Sequence, residues 1–369
     1  MARAARVGYR RAVRIAPLPQ SQLPFAELVL ADACAFDRAT EVAAEKLFGP
    51  GPASAPKAGS PPPELLMPSA FGAWNDQHDL VGVAAACGKW LRVLAVVPGA
   101  RGRGAGSALL AACEGAGARR TLDQPGNYLA PGVDVRNTET IAWLERRGWA
   151  RTGDPRTNVL IGVRDNPRVS RERAQELAAA VAARGYEVRR ARADESPLVD
   201  AVAAEFGGAW PFELVRALTY TPAPRSVLDE PGVAHAPVER RPASSFVVPP
   251  QEEIRIREMF GADAERRLDS FREGLAAATP AVHVALKEGA YCAFAAHDGN
   301  NAGLGWFGPT GTWPAHRGQG LGEALLIACL ADVAEEHARC EVAWIGPRPF
   351  YEKAAGIVDE RNFVVLAKP

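Results

Sequence analysis

A glycine-rich block that occurs twice constrains this chain more than any other feature. Residues 97–113 read Val-Pro-Gly-Ala-Arg-Gly-Arg-Gly-Ala-Gly-Ser-Ala-Leu-Leu-Ala-Ala-Cys, and residues 313–329 read Trp-Pro-Ala-His-Arg-Gly-Gln-Gly-Leu-Gly-Glu-Ala-Leu-Leu-Ile-Ala-Cys. Pro98 matches Pro314, Arg101 matches Arg317, Gly104 matches Gly320, Gly106 matches Gly322 and Cys113 matches Cys329, all at a constant offset of 216 residues. A fixed long offset of this kind marks a duplicated structural unit. At 369 residues the chain has the length of two ordinary domains.

The flanks of the two blocks agree. Residues 80–87 and 91–97 are Val-, Leu- and Ala-rich runs around Gly88-Lys89, which predicts a hairpin of two buried strands leading into the first block. Residues 281–286 and 290–296, around Lys287-Glu288-Gly289, predict a second hairpin, and residues 304–312 a strand leading into the second block. Behind each block an Ala/Leu-rich stretch, 107–116 and 320–338, predicts a helix. The Pro- and Gly-rich residues 49–63 are expected as an exposed loop within the first domain, and residues 221–250, with seven prolines, as a second long loop. The boundary is expected at Arg164-Asp165-Asn166-Pro167, after which Ser170 caps a helix running to Gly185, giving domains 1–166 and 167–369.

A strand, a glycine-rich turn and a helix together form an anion site. Glycines reach positive φ and let backbone approach a ligand, and the helix start adds unpaired N–H groups and the positive end of its dipole. The spacing decides which phosphate ligand fits. The Gly-x-Gly-x-x-Gly/Ala dinucleotide fingerprint fails, because the third position falls on Leu109 or Leu325 in one frame and on Ser107 or Glu323 in the other. The Gly-Lys-Ser/Thr ending of a nucleotide-hydrolysing P-loop is missing from both blocks.

The pattern that does fit is Arg/Gln-x-x-Gly-x-Gly/Ala with a proline three positions upstream. Arg101-Gly102-Arg103-Gly104-Ala105-Gly106 and Arg317-Gly318-Gln319-Gly320-Leu321-Gly322 both satisfy it, and here the sequence resembles the GNAT superfamily of acyl-CoA-dependent N-acetyltransferases. The resemblance implies an α/β (α+β) fold of two GNAT-type domains, each a mixed central sheet with splayed middle strands flanked by helices. It implies acetyl-CoA as co-substrate with no metal, its diphosphate held by the two six-residue loops. The splayed pairs would be 91–97 with a strand near 129–135, and 304–312 with 340–345. Val96 and Val97, with Gly311, Thr312 and Trp313 in the second copy, are then expected along the coenzyme, and the amides of Gly311 to Trp313 as candidates to polarise the thioester carbonyl.

The same resemblance separates the copies. Phe350-Tyr351-Glu352-Lys353-Ala354-Ala355-Gly356 resembles the family's terminal Leu-Tyr-Glu-Lys-x-Gly-Phe helix with one extra residue, which makes Tyr351 the candidate general acid; the alternative is an amphipathic packing residue. In the first copy Leu144 takes the tyrosine position of the run 137–149, so that domain is expected to be catalytically degenerate and the second catalytic. Trp344 stands where the family asparagine belongs. His283, His316, Glu341 and Asp298 are candidate bases, each with a structural role as the alternative. Trp210, Phe212, Tyr220, Trp306, Phe307 and Trp344 either line a cleft or fill the core.

Bulk properties narrow the partners. Lys plus Arg and Asp plus Glu both number 43, so no basic field favours nucleic acid or an anionic membrane, and no run of apolar residues is long enough to cross a bilayer. The arginine-rich start lacks a signal peptide's apolar stretch, and six scattered cysteines without a Cys-x-x-Cys pair point to free thiols in a reducing, cytoplasmic setting. The expected acceptor is a small-molecule amine, whether amino sugar, aminoglycoside-like or other, handled by a monomer or homodimer. A non-catalytic acyl-CoA sensor or scaffold is the alternative.

Overall fold

The computed structural model describes residues 13–153, 155–220, 253, 256–257 and 260–369. The basic start of the chain and the expected loop at 221–250 lie outside the described residues. The chain forms two compact units. The first opens with β1 (Arg14–Pro17), α1 (Leu23–Ala33) and α2 (Ala43–Phe48), then a short ladder of β2 (Gly51–Pro52) with β3 (Leu65–Leu66). It continues through β4 (Ser69–Trp74), β5 (Leu80–Cys87), β6 (Trp90–Val96), α3 (Ala105–Gly115), β7 (Arg120–Thr121), β8 (Val133–Asp134), α4 (Thr138–Glu145) and β9 (Ala150–Arg151).

The second unit is built from β10 (Arg156–Gly162), α5 (Arg171–Ala182), β11 (Glu187–Arg190), α6 (Ser196–Glu205), α7 (Trp210–Leu218), α8 (Ala264–Ala277), β12 (Val282–Lys287), β13 (Ala290–His297), β14 (Trp306–Thr312), α9 (Leu321–Glu336), β15 (Arg339–Val342) and α10 (Arg348–Ala354). β16 (Asp359–Val364) and β17 (Leu366–Ala367) end the chain. The expected hairpins and post-loop helices form within one or two residues of the expected bounds. The Ser170 hydroxyl caps α5 by accepting from the Arg173 amide at 3.0 Å.

The boundaries fall elsewhere than the sequence suggests. The first unit comprises residues 1–53, 63–157 and 361–369, and the second 54–62 and 158–360. The turn chemistry at Arg164–Pro167 is real, but β10 precedes it and pairs antiparallel with β15, from Val159 opposite Val342 to Gly162 opposite Arg339. Val159 and Ile161 are fully buried in the second unit's core, and that burial sets the division ahead of the turn. Conversely β17 sits between β7 and β9, giving the first sheet the order β1-β4-β5-β6-β7-β17-β9. The loop expected inside the first domain also departs: residues 54–62 belong to the second unit, where Gly59 donates to Ala203 and Pro56 accepts from Gly208. A proline-rich stretch cannot satisfy its own carbonyls by a ladder, so it borrows these partners.

In both units the ladder that leads into the glycine block runs out early. β6 pairs with β7 only at Trp90/Arg120 and Leu91/Thr121, and β14 with β15 only at Trp306/Glu341 and Phe307/Val342, both parallel. Beyond these pairs the strands part. The strand beside β6 is therefore residues 120–121 rather than 129–135; Val133–Asp134 pairs instead with Val364–Phe363 of the same unit.

Leu366 is fully buried among Leu109, Leu110 and Trp149, and its amide donates to the Thr121 hydroxyl at 2.9 Å. Leu366→Ala is expected to destabilise the first unit by about 2–5 kcal/mol. Urea denaturation would show a lower midpoint, and an unchanged midpoint would mean that the last strand does not hold this sheet.

Candidate active site

The two glycine blocks fold alike down to single torsions. Gly102 and Gly318 both have φ of 74°, and Gly104 and Gly320 have φ of 96° and 82°, a left-handed region open to glycine at no steric cost. Each second glycine begins a helix with no side-chain cap, so the first amides of α3 and α9 remain without intrahelical partners. A Cβ built at Gly102, Gly104 or Gly318 would meet no protein atom within 4 Å, so the space over the turns is open to a ligand. Arg101 Nε donates to Val96 O at 3.0 Å, and Arg317 Nε donates to Thr312 O at 3.2 Å, which fixes each turn to its strand in the same way.

Those bonds also show which strand amides face the gap. In an antiparallel ladder a residue sends its N–H and C=O to one neighbour, and the next residue sends both to the other side. Val97 N donates to Val81 O and Trp313 N to Cys292 O, so these residues face the hairpin partner. By alternation Gly311 also faces β13, while Leu94, Val96, Thr310 and Thr312 face the parting strands. The expected role for the amides of Gly311 and Trp313 is thus corrected, because the ladder already uses them; Thr312 alone of the three turns its amide to the gap. Ala105, Gly106, Leu321 and Gly322 lie in the first turns of the helices. Gly106 lies against Trp143 and Gly322 against Phe350, since a Cβ at either would stand 3.6 Å from that ring. This shared packing sets Leu144 and Tyr351 in equivalent positions.

In the second unit Tyr351 is buried and meets the ring of Phe307 edge-on at 6.2 Å and that of Phe350 at 5.0 Å. Phe307 belongs to the last pair before β14 and β15 part. The Tyr351 ring therefore packs beside the last residue pair before these strands part. Burial pushes its hydroxyl up to about 12, and the neighbouring Cys340 adds to the shift; burial likewise pushes the Cys340 thiol far up.

The candidate bases are engaged elsewhere. His316 Nδ1 lies 3.1 Å from the Tyr186 hydroxyl. Glu341 accepts from Asn158 Nδ2 at 2.6 Å. His283 Nε2 lies 2.8 Å from Asp332 Oδ2, and Arg190 donates to Asp332 Oδ1 at 2.7 Å. Asp298 accepts from the amides of Gly303 and Gly305, both at 3.0 Å, and its other oxygen lies 2.7 Å from His297 Nδ1. Sequence reasoning missed Asn158, a fully buried residue on β10 whose Oδ1 accepts from the Trp344 amide at 2.8 Å. An asparagine 186 residues away in sequence thus holds the backbone at Trp344. The aromatics mostly pack: Trp210 meets Phe206 and Phe294, Tyr220 meets His297, and Trp313 joins the Phe206 cluster.

The first unit carries an open cleft of about 2290 Å³. Its walls include Val96, the loop residues Arg101 to Gly104, Gly106 and Ser107 of α3, and Leu144 of α4. Arg147 donates to the Ser107 hydroxyl at 2.7 Å while stacking over Trp143, adding a cation near the start of α3. Asp37 and Asp134, both on the cleft wall, share Arg361 at 2.6 and 3.2 Å. Among the described residues no group of three or more His, Cys, Asp or Glu is disposed to hold a metal ion, and no helix is long and apolar enough to cross a membrane.

The buried charges of the second unit make a pH prediction. Burial alone would discharge His297, but the Asp298 hydrogen bond and the Asp332 carboxylate, 3.6 Å from Nε2, lift it to about 9. Its folded pKa exceeds the ordinary 6.5, so its contribution is complete below pH 6.5 and is lost as pH rises through about 9. The melting temperature should fall across that window in the wild type and fall less in His297→Gln. Parallel profiles for the two proteins would remove His297 from the account.

No protein-family profile matches the sequence, and no curated protein matches it. Solved structures do. A GCN5-related glucosamine N-acetyltransferase region of a fungal multi-domain GH3 β-N-acetylglucosaminidase aligns at a TM-score of 0.53 and 12% identity, over 96% of this chain and 38% of that one. This chain therefore spans well under half of that protein. A GCN5-related N-acetyltransferase from Sphaerobacter thermophilus aligns at 0.52 and 15% identity, over 98% and 96%. A tandem GNAT protein from the clavulanic acid biosynthesis pathway aligns at 0.51 and 14%, over 96% and 98%. The chain has the fold of the GCN5-related N-acetyltransferases, present twice in tandem.

Proposed function

We propose that this protein is an acetyl-CoA-dependent N-acetyltransferase that transfers the acetyl group to a primary amine of a small molecule by direct attack on the thioester. The observation that carries the reading is the buried Tyr351, whose ring packs against Phe307 at the last β14–β15 pair, on the strand that leads into the glycine turn. From Thr312 to Phe307 the strand covers about 16 Å at roughly 3.3 Å per residue. That run suits a pantetheine arm whose diphosphate rests on Arg317, Gly318, Gln319, Gly320, Leu321 and Gly322. The thioester then reaches the phenol.

In this reading the Thr310 and Thr312 amides hold the arm as a further strand would, and the uncapped start of α9 neutralises the diphosphate. The neutral acceptor amine attacks the thioester carbonyl carbon, the C–S bond breaks, the Tyr351 proton passes to the departing sulfur, and the acylated nitrogen sheds its proton to solvent, from which the phenolate is reprotonated. Burial weakens the phenol as an acid but also raises the proton affinity of the departing thiolate, so the developing charge on the sulfur drives the transfer. The acceptor is a soluble amine such as an amino sugar or an aminoglycoside-like compound, in the cytoplasm, with no nucleic-acid or membrane partner. A second reading, coenzyme binding without turnover, is favoured for the first unit by Leu144, which has no proton to give.

Tyr351→Phe should lower kcat by about 10²- to 10⁴-fold, the range for losing a general acid, while calorimetry shows unchanged coenzyme A affinity. The wild type should show no alkaline loss of kcat that tracks phenol ionisation until near pH 12. Full activity in Tyr351→Phe with a panel of amino sugars, aminoglycosides and polyamines would remove Tyr351 from the chemistry. Absence of coenzyme A binding would remove the whole reading.

A further inference from the structure

The two units differ most just beyond the apex of the strand gap. In the second unit, residues 343–347 join β15 directly to α10. In the first, residues 122–137 intervene between β7 and α4. This excursion is a built wall with a polar back. Arg92, Lys46, Gln124 and Asn127 are each at most 1% exposed. Arg92 Nε donates to Gln124 Oε1, Gln124 Nε2 to Pro52 O at 3.1 Å, Lys46 Nζ to Asn127 Oδ1 at 2.8 Å, and Asn127 Nδ2 to Pro50 O at 2.7 Å. A buried network of this kind is costly to disturb, so it fixes the segment it holds. Leu122 is held at φ of 58°, a conformation that leucine adopts only under constraint, with its amide donating to Leu91 O at 2.8 Å.

The wall's other face is apolar. Leu122, Leu129 and Val133 from the excursion join Leu91 and Val93 of β6 and Leu144 of α4 around one continuous cleft that also reaches the glycine turn. Leu144 replaces the phenol that closes the equivalent position in the second unit. An arm laid along β6 from Val96 would reach Leu91, the last paired residue, after about 16 Å at roughly 3.3 Å per residue. Beyond that point it meets hydrocarbon on several sides.

We infer that the first unit binds an acyl-CoA whose acyl chain is longer than acetyl, with the chain seated against Leu122, Leu129 and Val133. This rests on the reading that the first glycine turn holds a coenzyme A diphosphate. Each buried methylene contributes about 0.8 kcal/mol, close to a fourfold gain in affinity. A short apolar chain there tightens binding steeply, whereas the second unit, closed by Tyr351, has no such gain.

Calorimetry of the full chain with coenzyme A, acetyl-CoA, butyryl-CoA and octanoyl-CoA tests this. One equivalent per chain should bind octanoyl-CoA at least about tenfold more tightly than acetyl-CoA, and Leu129→Asp should abolish that difference while leaving coenzyme A affinity intact. If Leu129→Asp fails to fold, Val133→Asp and the wild-type chain-length series decide. Equal affinity across the series, with coenzyme A still bound, overturns the inference and leaves the proposed function standing. The same result together with tighter binding of acetyl-CoA in the presence of an apolar amine would assign the apolar wall to the acceptor and also overturn it. Failure of every thioester and of coenzyme A itself to bind removes the proposed function as well.

Discussion

The parting of two parallel strands after two residue pairs is the constraint on which the rest of each unit depends. A strand edge inside a domain must find partners for its amides, since a buried unpaired N–H costs about as much as a lost hydrogen bond. Here β6 and β14 turn the amides of Leu94, Val96, Thr310 and Thr312 toward a gap that the neighbouring strand has left. The glycine turn at the mouth of that gap adds the uncapped amides of a helix start. Unspent donors along a strand and around a turn, all in one direction, are a template for an extended ligand with an anionic end. Arg101 and Arg317 bond to the strand carbonyls at the hinge between the two, which keeps turn and strand in register.

The duplication preserved that template more faithfully than what lies at its far end. Torsions at the paired glycines, the arginine-to-carbonyl bonds, the ring packed on Gly106 or Gly322 and the two-pair ladders all recur. The apex does not: one copy has a phenol with its ionisation suppressed by burial, the other a leucine facing an apolar wall. Backbone geometry common to both units leaves each apex free to change without loss of the fold, because the apex side chains come from elements that contribute little to the ladder itself.

Much of this was legible in the residues. The repeat at an offset of 216 located both turns, and continuous apolar runs around Gly88-Lys89 and Lys287-Glu288-Gly289 located the hairpins that deliver them. Ser170 announced α5, because an N-cap is a local signal between neighbours in sequence. What failed was long-range. Nothing near Asn158 signals that its amide group will serve Glu341 and Trp344, and nothing in Leu366-Ala367 signals a strand between β7 and β9. Arg164–Pro167 looked like a boundary because turn propensity is local, whereas the division of the chain follows where Val159 and Ile161 are buried. The amides of Gly311 and Trp313 were misjudged for a related reason. Which side of a strand an N–H faces depends on ladder parity, and parity is set by the partner strand.

The candidate bases show how chemistry-bearing residues are absorbed by the core. His283 and Asp298, two of the candidate bases, join His297, Asp332 and Arg190 in a network whose members neutralise one another beneath α9. Asp332 is held well below the ordinary carboxylate range because His283, His297 and Arg190 outweigh the burial that would raise it. Burial and Arg190 hold His283 down, so it stays neutral and its bond to Asp332 is structural. A group so committed cannot also collect a proton from an incoming amine without breaking the network that keeps it buried. The network instead holds α9, through Asp332, against His283 of β12 and His297 of β13.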